Sequence, residues 1–118
     1  SPPSISRDVS LLERMKLLLQ YIEQHYAETI SNQTLMRLAA CSESVLLRSF
    51  KKTVGTSPMN YLQNYRIQQA SSLLLSTDMT SSEIAIATGF HDISYFTKIF
   101  HRTTGLAPQR FRAAHRTK

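Results

Sequence analysis

The sequence predicts an all-α fold of seven helices, arranged as two similar subdomains joined by one long connector helix. Three observations predict it. Apolar residues recur at helical spacing along the chain, and long polar–apolar alternation is absent. Glycines number only 3, and each stands where a helical stripe ends. An internal repeat at a spacing of about fifty residues pairs one half of the chain with the other.

Each element has its own signals. Ser10-Leu11-Leu12-Glu13 has the form of a capping box and opens a first helix that fades near Ala27. Its stripe is Leu11, Met15, Leu18, Leu19, Ile22 and Tyr26. Ser31 caps a short second helix carrying Leu35, Leu38 and Ala39. Ser42 caps a third that stops at Gly55. Ser57-Pro58 reads as a cap followed by proline at the first helical position. It opens a long helix to about Ser76, with Leu62, Tyr65, Ala70, Leu73 and Leu74 inward. Thr80-Ser81-Ser82-Glu83 is a second capping box, and its short helix ends at Gly89. Asp92 caps a sixth helix that stops at Gly105, and Pro108 starts a short seventh. Residues 1–9 read as a linker remnant and 10–115 as the folded domain, with subdomains over about 10–56 and 78–115 and the connector over 58–76.

The repeat gives these helices a meaning. At a shift of fifty, Leu46 meets Phe96, Arg48 meets Lys98, Phe50 meets Phe100 and Lys52 meets Arg102. Gly55 meets Gly105, Pro58 meets Pro108 and Tyr61 meets Phe111. Upstream of the turn the shift becomes 49, so that Leu35 meets Ile84 and Ala40 meets Gly89. A short helix, a tight turn and a longer second helix is the helix-turn-helix pattern, here in two homeodomain-like copies.

Charge points to the partner. The formal net charge is +6. Residues 1–40 carry four basic and four acidic side chains, and residues 41–118 carry ten and four, so the whole excess lies in the later part. A one-sided basic excess suits a phosphate-rich partner. In each repeat the second helix has an apolar, inward face, Leu46, Phe50 and Thr53 in the first and Phe96, Ile99 and Phe100 in the second, and the face opposite it is polar. It carries Ser44, Leu47, Arg48 and Lys51 in the first, and Ser94, Thr97, Lys98 and His101 in the second. Recognition helices meet base edges with their N-terminal part. Arg48 can pair bidentately with guanine, and Lys98 can contact guanine or phosphate less directionally. Ser44 and Ser94 are short hydrogen-bonding groups, while Leu47 and Ile93 can meet thymine methyls. Lys51, Lys52 and Arg102 suit phosphates. The connector, at 1.5 Å per residue, spans roughly 28 Å, against about 34 Å between successive major grooves on one face of the duplex.

Other function classes find less support. Cys41, His25, His91, His101 and His115 show neither metal-ligand spacing nor a nucleophile–base pairing, so neither an enzyme nor a metal or other cofactor is expected. One cysteine excludes an internal disulfide framework, and no apolar run approaches a membrane span, so no membrane partner is expected. The rival reading is a helical protein-interaction module that uses Leu47 and Ile93 as anchors and carries its basic charge incidentally.

The chain resembles the AraC/XylS family of bacterial transcription regulators. The carrying residues are Leu46 through Lys52 with Gly55 and Ser57-Pro58; Tyr61-Leu62, Arg66-Ile67, Ala70 and Leu73-Leu74; Glu83-Ile84-Ala85 with Gly89-Phe90; and Ser94 through Phe100 with Gly105, Pro108 and Phe111-Arg112. The resemblance implies a double-stranded DNA-binding domain with two recognition helices, about 43–54 and 93–104, in adjacent major grooves. It implies base contacts from Ser44, Leu47, Arg48, Ile93, Ser94 and Lys98, and a phosphate contact from Thr97; His101 is expected beside the phosphates too. It further implies transcription activation through RNA polymerase, a cytoplasmic, nucleoid-associated protein, and a separate N-terminal effector or dimerisation domain outside this chain. Four departures from the family pattern carry expectations. Ala40 replaces the usual turn glycine, which predicts a turn less left-handed or slightly strained. Met36 replaces a small residue, which predicts displaced packing at the second helix; Ser81 replaces an apolar one, which predicts weaker anchoring of the fifth helix; and Ala107 replaces a capping hydroxyl.

Overall fold

The computed structural model describes residues 9–116. The linker reading, apart from Val9, therefore lies outside the described residues. The helices are α1 Leu11–His25, α2 Asn32–Ala39, α3 Glu43–Val54, α4 Pro58–Ser76, α5 Ser81–Ala87, α6 Ile93–Thr104 and α7 Pro108–His115. The described residues contain no strand.

The caps fall where local chemistry places them. Ser10, Ser31 and Ser42 each accept a hydrogen bond from the backbone three residues on. Ser57 does the same for Asn60 at the head of α4. Thr80 and Glu83 form a complete, reciprocal capping box, with the carboxylate accepting from the Thr80 N–H at 2.8 Å. Ala107, which has no hydroxyl, caps α7 with no side-chain hydrogen bond, and Pro108 removes one of the orphan donors.

The chain divides into two compact units, the first ending at Leu62 and the second beginning at Gln63. The division lies inside α4. Leu62 is buried with Met15, Leu18, Ile22, Ile30, Leu35, Leu46 and Phe50. Five residues on, Ile67 is buried in a different core with Ala70, Leu74, Ile84, Phe96, Ile99 and Phe100. One helix thus supplies residues to two cores, so its apolar residues do not form a single stripe. Ile67 falls outside the inward set predicted for α4, while Tyr65 and Leu73 are only half-buried.

In the first unit α3 packs on α1 and α2. The ring of Tyr61 stands edge-on to Phe50 at 6.2 Å, and its hydroxyl donates to the Glu23 carboxylate. Met36 packs half-buried against this core, where the expected small residue would leave space. In the second unit α6 packs on α5 and α7. Phe111 stands edge-on to Phe100 at 5.3 Å, the same pairing fifty residues on. Arg112 fixes the end of α4 by donating to the carbonyls of Leu74, Thr77 and Met79 at 2.8, 3.0 and 2.7 Å. Ser81, expected to weaken the anchoring of α5, accepts from Gln109 on α7 at 2.8 Å, so a polar tie stands where an apolar contact is usual.

A candidate DNA interface built twice

The turn that leads into α3 and the turn that leads into α6 are the same motif. Ala40 N–H donates to the Arg37 carbonyl at 3.3 Å, and Cys41 N–H to the Met36 carbonyl at 3.1 Å. The counterparts are Gly89 to Ile86 at 3.1 Å and Phe90 to Ala85 at 2.8 Å. This is the crossed pair of a Schellman motif, which needs a left-handed residue just past the helix. Gly89 supplies it at φ 94 without strain. Ala40 supplies it at φ 53 and ψ 50, so the turn is fully left-handed and the expectation of a less left-handed one is corrected. The backbone hydrogen bonds and the burial of Ala39 hold the conformation, at a cost of about 1–2 kcal/mol for an L-residue.

After the turn the units differ by one residue. Cys41 is followed at once by the cap Ser42, whereas His91 stands between Phe90 and the cap Asp92. That insertion is the origin of the change of repeat spacing from 49 to 50. Arg14 braces the shorter turn by donating to the Ala39 carbonyl at 2.7 Å and to the Val9 carbonyl at 3.1 Å. Burial pushes the Cys41 thiol up against the opposing pull of Arg14, so this cysteine is a packed, protonated side chain.

The faces follow from these placements. In α3, Leu46 and Phe50 are fully buried. Ser44, Leu47, Arg48, Lys51 and Lys52 are exposed, and Arg48 and Lys52 border a cleft with Leu11 and Leu12 of α1. In α6, Phe96, Ile99 and Phe100 are buried. Ile93, Ser94, Lys98, His101 and Arg102 are exposed, and Thr97 is half-buried between them. No side-chain hydrogen bond or ion pair engages Arg48, Lys51, Lys52, Lys98, His101 or Arg102 among the described residues. Leu47 is 37% exposed and Ile93 40%, so both apolar side chains keep free surface on otherwise polar faces.

Two features escaped the sequence reading. Tyr95, half-exposed in the first turn of α6, donates to Gln63 Oε1 on α4 at 2.8 Å and ties the start of α6 to its own unit. Glu43 occupies the first turn of α3 at the position equivalent to Ile93. The fifty-residue shift carried the signal for Glu43, whereas no local pattern marks Tyr95.

Two copies of one turn, each aiming a helix with an exposed cationic face, match the architecture of known DNA-binding domains. A family model described as a helix-turn-helix domain matches residues 35–114. The chain belongs to the AraC/XylS-type helix-turn-helix family of DNA-binding domains. It is 32% identical over 99 residues to the transcriptional activator RhaS of Enterobacter sp. strain 638, covering 84% of this chain and 36% of that protein. It is 31% identical over 100 residues to AdaA of Bacillus subtilis, a bifunctional transcriptional activator and DNA repair enzyme, covering 85% of this chain and 47% of AdaA. The DNA-binding domain of AdpA, a global transcriptional factor solved in complex with a target DNA, superposes with a TM-score of 0.83 at 27% identity, covering 86% of this chain and 92% of that one. The chain spans between a third and a half of the length of these curated relatives. Its function is sequence-specific DNA binding in transcription regulation. No described helix is long and apolar enough to cross a membrane, and no described group of three or more His, Cys, Asp or Glu residues is arranged to hold a metal.

Proposed function

We propose that this chain is the non-enzymatic DNA-reading part of a bacterial transcription activator, acting on the nucleoid in the cytoplasm, with α3 and α6 each entering a major groove. Ser44, Leu47 and Arg48 meet base edges in one half-site, and Ile93, Ser94 and Lys98 in the other. Lys51, Lys52, Thr97, His101 and Arg102 lie along the phosphates. The observation that carries this reading is the recurrence, fifty residues apart, of exposed cationic faces whose cations are unengaged among the described residues. Solvated cations on a preformed helix can exchange counterions for phosphates without breaking an internal pair. Contact with RNA polymerase, and a separate effector or dimerisation domain, are supported by the greater length of the relatives and by the name of RhaS as an activator.

The exposure of Leu47 and Ile93 also fits a protein-docking surface. A salt titration separates the two readings. Contact with about 6–10 phosphates predicts a loss of roughly 10³–10⁵ in DNA affinity between 50 and 200 mM salt. A flat response would favour protein docking.

A further inference from the structure

We propose that Glu43 is a specificity-determining residue that selects cytosine in the half-site read by α3. The inference rests on the DNA-reading assignment of α3 and names a base that this assignment leaves open.

The repeat supplies the first ground. Glu43 and Ile93 are each the first helical residue after the cap, fifty apart. If the first turn of α6 meets bases through Ile93, the first turn of α3 meets them through Glu43. The face geometry agrees. Glu43, Leu47 and Lys51 follow one another at a spacing of four, as do Ile93, Thr97 and His101, so each set lines one edge of its exposed face.

The second ground is that the carboxylate has no other work. Glu43 is exposed, and no hydrogen bond or ion pair engages it among the described residues. The cap of α3 is Ser42, which accepts from Val45 N–H at 3.3 Å. The position that would complete a capping box is occupied by Val45, so Glu43 plays no part in one.

The third ground is chemical. An ionised carboxylate only accepts hydrogen bonds. In the major groove cytosine offers its N4 amino group as a donor with no acceptor beside it; adenine offers its N6 amino group next to the N7 acceptor, which repels a carboxylate, and guanine N7 and O6 and thymine O4 are acceptors that repel it outright. A carboxylate therefore selects cytosine both by attraction and by exclusion. Ile93 makes no such demand and favours a thymine methyl. The two half-sites are thus expected to differ at equivalent positions, with cytosine in one and thymine in the other.

The test is selection of bound duplexes from a randomised pool by the wild-type chain, Glu43→Ala and Glu43→Ile, with circular dichroism and thermal melting as controls for folding. The wild type should prefer cytosine about tenfold at one position. Glu43→Ala should erase that preference, and Glu43→Ile should move it to thymine while leaving the remaining positions unchanged. If both variants bind all sequences equally more tightly, Glu43 merely repels phosphate and the proposal fails. If they lower melting temperature with base preferences unchanged, Glu43 only complements the helix dipole and the proposal also fails. In either case the persisting preferences at other positions would leave the DNA-reading assignment standing. A wild-type chain with no preference anywhere would overturn both.

Discussion

The guanidinium of Arg14 donates to the carbonyl of Ala39 at 2.7 Å, one residue before the left-handed joint that aims α3. This bond crosses from α1 to the end of α2, where the last carbonyls of a helix lack internal partners. Arg14→Met keeps most of the apolar stem and removes the donor. Chemical denaturation should show a loss of about 1.5–3 kcal/mol, the range for hydrogen bonds to charged groups. Hydrogen exchange should accelerate in α2 and α3 and stay unchanged in α5 and α6. A uniform acceleration in both units would refute this local role.

The two turns predict opposite responses to reciprocal changes. Ala40→Gly relieves a left-handed alanine worth about 1–2 kcal/mol but loosens the unfolded chain. The net expectation is a gain of roughly 0.5–1 kcal/mol. Gly89→Ala imposes the same strain at φ 94 and should cost about 1–2 kcal/mol. Equal and small effects of both changes would show that the joints tolerate other conformations.

The capping box on α5 predicts a pH dependence. Hydrogen bonds from the Thr80 backbone and hydroxyl hold the Glu83 carboxyl below its ordinary value. A lowered folded value favours the native state once the pH exceeds the unfolded value, about 4.3 for glutamate. This contribution fades as the pH falls below that value and is gone below the folded one. Glu83→Gln should therefore melt below the wild type at pH 7, with the difference closing at pH 2–3. A constant difference across that range would assign the effect to packing instead.

The cations on α3 should divide by role. Arg48→Ala is expected to relax preference at one base position, worth about 1–3 kcal/mol of discrimination. Lys52→Ala should weaken all duplexes alike and reduce the salt slope by about one phosphate. Binding isotherms on matched and single-mismatch duplexes check this. The same profile for both variants would remove Arg48 from the base readers.

Much of the fold was legible because its punctuation is local. The caps Ser10, Ser31, Ser42, Thr80 and Asp92 accept backbone hydrogen bonds within three residues, and sequence spacing reports such bonds directly. The buried set of α6 was legible too, since that helix faces a single core. In α4 the same reasoning missed Ile67, because the helix leaves one core after Leu62 and enters another. Arg14 and Arg112 were illegible as braces, since donation to a carbonyl 25 or 38 residues away leaves no pattern in sequence. For the candidate interface, the polar faces read from the repeat are exposed in the structure, while Glu43 was passed over although the fifty-residue shift pairs it with Ile93.

The most direct test is to scramble each half-site of the duplex selected by the intact chain and measure affinity at fixed salt. Two cooperating units, of which α3 carries Arg48 and the richer set of readers, predict that both changes weaken binding. Scrambling the half-site of α3 should weaken it more, and Arg48→Ala should narrow that difference further than Lys98→Ala. A duplex with a single recognised site, or affinity indifferent to either scramble, would contradict the account.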